Sequence, residues 1–197
     1  MGMSLVGKKA PKVSAPAVVN GNIINDFSVQ NLEGKYVLLF FYPLDFTFVC
    51  PTELHAFQEK YTEFKKLGAE IIACSRDSAY AHLSWLSMPK KQGGIEGISY
   101  PMIADMKLEY IKAYDVLKEE EGISYRGLFL IDRSGIIRHQ LVNDTPIGRD
   151  VNEALRVLKA LQHYEKSGEV CPANWHEGDK GFKTNKKDLN TYFSEEN

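Results

Sequence analysis

The sequence predicts an α/β fold, a central mixed β-sheet flanked by helices and followed by an extended C-terminal tail. Three observations carry this. Residues 36–75 alternate strand, helix, strand; residues 127–142 hold two strand-like runs around a short polar turn; and from Glu169 the chain turns polar and rich in Gly, Asn and Lys. With 197 residues, 44% hydrophobic and 25% charged, one domain with a well-buried core is expected, and no repeat or low-complexity linker interrupts it.

The segment KYVLLFFY is apolar, aromatic and branched over a strand's length. After it, Leu54, Phe57, Tyr61, Phe64 and Leu67 recur at helical spacing, with Pro51 suited to the first turn and Gly68 to the stop. AEIIACS is a second strand, so residues 36–75 form a right-handed βαβ unit with Cys50 at the strand-to-helix junction. DSAYAHLSWLS predicts a short helix behind an Asp/Ser cap, and DMKLEYIKAYDV another with Asp105 as its cap. In GLFLIDRSGIIRHQLV the turn Asp132–Gly135 closes a β-hairpin. DVNEALRVLKALQHYEKSG has a capping pair, Asp150 and Glu153, and a closing Gly168, so it is a helix. The tail from Glu169 nevertheless holds Cys171, Trp175 and the pair Tyr192–Phe193, residues that a free tail rarely keeps unless something docks them.

A formal charge of −2 and a pI near 6.2 give no basic field for nucleic acid. No apolar run approaches the roughly 20 residues that span a bilayer, the longest being broken by Pro43 and Asp45. The start does not read as a secretory signal, and Val6 stands where a myristoylation signal wants Ser or Thr, so a cytoplasmic address is expected. Cys50, Cys74 and Cys171 are too few for a disulfide scaffold, and C-x-x-C is absent. His55, His82, His139, His163 and His176 are scattered, which disfavours a metal module. Cys74, inside AEIIACS, reads as core.

Cys50 opens a helix, where the macrodipole and free backbone N–H groups favour a thiolate. Thr47 offers a hydroxyl three residues earlier, and Pro43 and Pro51 restrict the backbone on both sides. On position alone a second reading stands beside this one: a small buried hydrophobe ending the run FTFVC. A lowered thiol pKa also loses nucleophilicity, so a fast sulfur needs oriented donors that stabilise its transition state.

FYPLDFTFVCPTE resembles the P-x-x-x-T-x-x-C signature of the peroxiredoxins, in the form of their typical two-cysteine branch. The resemblance continues through SRDSAYAHLSW, RGLFLID, NDTPIGR and GEVCPANW, in order along nearly the whole chain. It implies a thioredoxin-like fold, with a peroxidase domain over residues 1–168 and an arm over 169–197 carrying the resolving cysteine. Cys50 would be the peroxidatic cysteine, attacking hydrogen peroxide or an organic hydroperoxide and becoming a sulfenic acid. Thr47 would hold the peroxide, Arg126 stabilise the developing negative charge and Pro43 shield the sulfur, while Glu53 and Arg149 orient the network. Without the resemblance, Arg126 reads as a solvated residue before a strand and Glu53 as a first-turn carboxylate.

By the same resemblance Cys171 would condense with the Cys50 sulfenic acid of a partner subunit, and thioredoxin or a flavoprotein disulfide reductase would open the disulfide. The assembly implied is a homodimer, built into a ring of dimers (a decamer), with no cofactor. Members sensitive to overoxidation carry a Gly-Gly-Leu-Gly loop and a C-terminal Tyr-Phe helix. Here Gly93 and Gly94 are kept, Glu96 departs, and Tyr192 and Phe193 are present, so intermediate sensitivity is expected. Rival readings are a disulfide oxidoreductase, which Thr47 and Glu53 disfavour by standing where C-x-x-C needs a second cysteine, and a holdase chaperone of the same oligomer.

Overall fold

The structure, a computed structural model, describes residues 4–195, which divide into two compact units at Val151/Asn152. The first unit opens with β1 (Ala15–Val19) and β2 (Asn22–Phe27), a hairpin that turns on Asn20 and Gly21 alone. Both turn residues have positive φ, 50° and 75°, the geometry whose twist matches a tight hairpin.

Next come β3 (Tyr36–Phe41), α1 (Cys50–Lys66) and β4 (Ala69–Ser75), with β3 and β4 parallel from Tyr36↔Ala69 to Phe41↔Cys74, as the βαβ reading predicts. Gly68 ends α1 with φ 71°. In α2 (Ala79–Leu86) the Ser78 hydroxyl accepts the Ala81 N–H at 3.1 Å, so the predicted cap is made. After β5 (Met102–Ala104) the predicted helix at 105–116 shrinks to α3 (Glu109–Ala113). Asp105 is not its N-cap residue, because Leu108 intervenes in a left-handed conformation. Its carboxylate still takes the N–H groups of Glu109 and Ile111, both at 2.8 Å.

A small ribbon, β6 (Leu117–Lys118) with β7 (Ile123–Ser124), precedes the predicted hairpin of β8 (Arg126–Ile131) and β9 (Ile137–Asn143). The seven-stranded sheet runs β2-β1-β5-β4-β3-β8-β9, parallel between β3, β4 and β5 and antiparallel elsewhere. Every residue of β3 and β4 is buried, which is why these strands read as apolar runs without alternation. Phe57 of α1 stacks on Phe40 of β3 at 4.2 Å, fixing the helix over the sheet, and Cys74 lies fully inside the core.

The second unit takes up α4 (Val151–Ser167) from its second residue, Asn152, with the closing Gly168 at φ 68°, and the tail. Cys171 follows a single antiparallel bridge, Val170↔Phe182. Beyond it the tail forms a helix that its polar composition conceals, α5 (Lys186–Glu195), started by the Asn185 side chain accepting the Asp188 N–H at 2.9 Å. Among the described residues no helix is long and apolar enough to cross a membrane.

Candidate active site

The loop between β3 and α1, residues 42–49, leaves the carboxyl end of a central strand and is pinned by buried polar contacts. The Asp45 carboxylate accepts from the Tyr42 hydroxyl at 2.7 Å and pairs with His82 Nδ1 at 2.8 Å, and the Asp45 N–H donates to Asp77 at 2.9 Å. Burial is the main reason that the Asp45 carboxyl is held above its ordinary range, partly offset by His82. These ties hold Phe46 at φ 54°, a left-handed conformation that costs a non-glycine residue about 1–2 kcal/mol. The loop is therefore a built shape, and it delivers Cys50 to the first position of α1 with Pro51 behind it.

Cys50 is 1% exposed. Arg126, the first residue of β8, donates from Nη1 to Cys50 Sγ at 3.5 Å and to Glu53 Oε2 at 2.7 Å, while its Nε donates to the Thr145 carbonyl at 2.6 Å. Arg149 grips the same carboxylate with its backbone N–H and Nε on Oε1, at 2.9 and 2.7 Å, and Nη2 on Oε2 at 2.8 Å. Its Nη1 donates to the carbonyls of Phe41 and Gly127 at 2.8 and 2.6 Å, and its guanidinium lies 5.1 Å from the Phe40 ring centre. Glu53 thus takes four donors, as many as a carboxylate accommodates.

Arg126 and Glu53 are each 3% exposed, so Arg126 is not a solvated residue, while Glu53 does stand in the first turn of α1 and is in addition the buried partner of two guanidinium groups. Two guanidinium groups share one carboxylate, leaving an excess of one positive charge in a dry site. The sulfur of Cys50 lies against that excess, where low dielectric makes charge complementarity strong.

Thr47, half-buried, donates its hydroxyl to the Leu44 carbonyl at 2.9 Å. That bond spends the only hydroxyl proton and turns the oxygen into an acceptor, a narrower role than bonding the sulfur or an incoming oxygen alike. Pro43 is buried in the same loop. Gly93 and Gly94 lie beside α1, where the His55 ring nitrogen Nε2 meets the Gly94 carbonyl at 3.0 Å, a contact that no sequence signal marked.

Cys171 belongs to the second unit, its thiol 3.5 Å from the Ala160 carbonyl. Burial raises its pKa, with the nearby Arg156 charge acting the other way. Tyr192 packs on Phe182 at 5.1 Å and on Phe193 at 5.6 Å, Phe193 itself being exposed.

Residues 6–140 match the AhpC/TSA family and residues 160–195 the C-terminal domain of 1-Cys peroxiredoxin. Over 196 residues the chain is 47% identical to peroxiredoxin-2 of Mus musculus, covering 100% of this chain and 98% of that protein. The chain belongs to the peroxiredoxins. A thioredoxin peroxidase of Echinococcus granulosus is 49% identical over 97% of this chain and 98% of its own. The reduced 2-Cys peroxiredoxin of Plasmodium vivax superposes with a TM-score of 0.94 at 42% identity, covering 98% of this chain and all of the other. AhpC of Enterococcus faecalis does so at 0.80 and 36%, over 86% and 100%. The thioredoxin-like fold and the thiol-peroxidase class of this peroxiredoxin follow from these likenesses.

Proposed function

We propose that this peroxiredoxin reduces hydrogen peroxide and organic hydroperoxides at Cys50, a reading carried by the contact of Arg126 with both the Cys50 sulfur and Glu53. The thiolate of Cys50 attacks one peroxide oxygen; an S–O bond forms, the O–O bond breaks, and the departing oxygen leaves as water or alcohol after gaining a proton. Arg126 faces the reacting sulfur and stabilises charge as it spreads onto the oxygens. Thr47, its oxygen available as an acceptor, orients the peroxide O–H, and buried Pro43 keeps water from the sulfur. Glu53 and Arg149 hold Arg126 in place.

Cys171 of a partner subunit then attacks the sulfenic acid, forming a disulfide and releasing water, and a dithiol reductant restores both thiols with two electrons. The name thioredoxin peroxidase carried by one similar chain favours thioredoxin over a flavoprotein reductase as that reductant. The peroxidase domain covers residues 1–168 and the arm residues 169–197. A homodimer assembled into a ring of dimers is supported by the exposed apolar side chains at the Cys50 loop, Phe46 and Phe48, the latter 93% exposed. The reading includes a cytoplasmic address. A cavity of about 400 Å³ between α1 and Gly93–Gly94, lined by Pro51, Thr52 and His55, suits an aromatic pair such as Tyr192–Phe193 of another copy, and supports intermediate sensitivity to overoxidation.

The test is one equivalent of hydrogen peroxide added to reductant-free protein, followed by peroxide loss and non-reducing gels of wild type, Cys50→Ser and Cys171→Ser. Rapid loss with a covalent dimer in wild type alone is expected. Unchanged loss in Cys50→Ser would overturn the proposal and leave holdase activity as the reading to examine.

A further inference from the structure

Beneath the loop 42–49 lies a dry polar network that no step of the peroxide chemistry uses directly. His82 of α2, fully buried, turns Nδ1 to Asp45 Oδ2 at 2.8 Å and Nε2 to the Ile103 carbonyl of β5 at 3.2 Å. A carbonyl only accepts, so Nε2 bears hydrogen. The Tyr42 hydroxyl gives its single proton to Asp45 Oδ1 at 2.7 Å and has none left for Nδ1, 3.4 Å away. Two lone pairs do not meet at 2.8 Å, so a second proton lies between Nδ1 and Oδ2. With it the pair is neutral overall, whichever atom holds the proton.

Neutrality there depends on His82. Among the described residues, the titratable groups that face Asp45 are Tyr42 at the end of β3, His82 on α2 and Asp77 between β4 and α2, so His82 is the only one of them that brings a positive charge. The strands on which α2 packs, β1 and β5, hold no charged residue. An Asp45 carboxylate without His82 would be a bare charge in a site closed to water, next to the Asp77 carboxylate.

The loop is built around that carboxyl. Asp45 stands directly before Phe46, whose backbone is left-handed and whose ring rests on Trp85 of α2 at 5.5 Å. It follows Leu44, whose carbonyl takes the Thr47 hydroxyl. The two neighbours of Asp45 thus set where Thr47 points, three residues before Cys50.

We infer that His82 is a positioning residue for the peroxide step: its ring neutralises Asp45 beneath the loop, and so keeps the segment that carries Thr47 into Cys50 in its reactive shape. The inference rests on the reading of Cys50 as the attacking sulfur, and His82 touches no reacting atom. Burial already holds the Asp45 carboxyl above its ordinary range, with His82 opposing. Without His82 the carboxyl is neutral at low pH, where the loop keeps its shape, and ionises unpaired as pH rises, where the loop loses it.

The experiment is stopped-flow fluorescence of the full-length protein mixed with hydrogen peroxide, whose peroxide-dependent first phase gives the rate of attack between about pH 5 and 9. Dividing each variant's rate by that of wild type at the same pH cancels the ionisation of Cys50 itself. For His82→Leu the ratio should fall as pH rises, approaching about tenfold per pH unit. His82→Gln, which disturbs the packing less and brings no charge, should fall in the same direction. In His82→Leu combined with Asp45→Asn, where no carboxyl is left to ionise, the ratio should be level across pH. A level ratio in both single variants, or a fall that persists in the combined variant, would overturn the inference while leaving the peroxidase reading intact. An undiminished first phase in Cys50→Ser would overturn that reading and this inference with it.

Discussion

Arg149 and Glu53 form a buried two-pronged ion pair, Nε on Oε1 at 2.7 Å and Nη2 on Oε2 at 2.8 Å, although 96 residues separate them. The pair ties the first turn of α1 to the segment after β9. Glu53→Gln keeps the shape but replaces one acceptor oxygen by a donor facing guanidinium N–H groups. Loss of one partner of a buried pair costs about 3–5 kcal/mol, so urea unfolding should show destabilisation of that order. Peroxide turnover should fall at least about tenfold, as Arg126 loses its anchor.

Thr47 has its hydroxyl proton committed to the Leu44 carbonyl. Thr47→Ser keeps that bond and the acceptor, whereas Thr47→Val keeps only the shape. Initial rates of peroxide consumption should be near wild type in the first and down about 10²-fold or more in the second. Similar rates in Thr47→Val and wild type would remove Thr47 from the mechanism.

Cys74 and Cys171, the two thiols outside the proposed site of first attack, should separate by accessibility. Burial pushes the Cys74 thiol well above its ordinary value, and the side chain is fully enclosed. Cys74→Ala should therefore leave turnover unchanged, and iodoacetamide should label Cys74 only on unfolding. Cys171 is partly exposed and its thiol is raised by burial with Arg156 opposing, so its alkylation in Cys50→Ser should keep climbing above pH 9.

Asp132 gives a pH prediction for the fold. Burial raises its pKa, but N–H donation from Ile136 and Ser134 and the Arg138 guanidinium outweigh this and hold the carboxyl below its ordinary 3.8. A depressed folded pKa means that the native state binds fewer protons than the unfolded one. The stabilisation is therefore present above pH 3.8 and is lost as pH falls through the lower folded value. Asp132→Asn should lower stability by about 1–3 kcal/mol at pH 7, and the gap to wild type should narrow on acidification, measured by urea titrations across pH.

Local signals made much of this legible. The βαβ unit, the cap at Ser78, the stops at Gly68 and Gly168 and the Asp132–Gly135 turn each depend on neighbours in sequence. The Asn20–Gly21 turn was equally available, but β2 exposes most of its side chains and shows no clean alternation. α3 is shorter than its apolar spacing suggests because Leu108 turns left-handed before it, and α5 hides in a polar tail behind its Asn185 cap.

At the site, Cys50 and Thr47 stand out through one short motif. The burial of Arg126 and Arg149 around Glu53 could not, since it depends on partners 73 and 96 residues away. His55 carried no signal at all, because the Gly94 carbonyl it meets lies 39 residues on.

The central claim is that Cys50, held beside Arg126, is the sulfur that peroxide oxidises first. Its most direct test is to add one equivalent of hydrogen peroxide to Cys171→Ser in the presence of dimedone, a sulfenic acid trap, and to map the adduct by peptide mass spectrometry. Labelling confined to Cys50, and greatly slowed in Arg126→Met, is the predicted result. An adduct on Cys74, or a Cys50 adduct that forms as fast without the Arg126 guanidinium, would contradict the account.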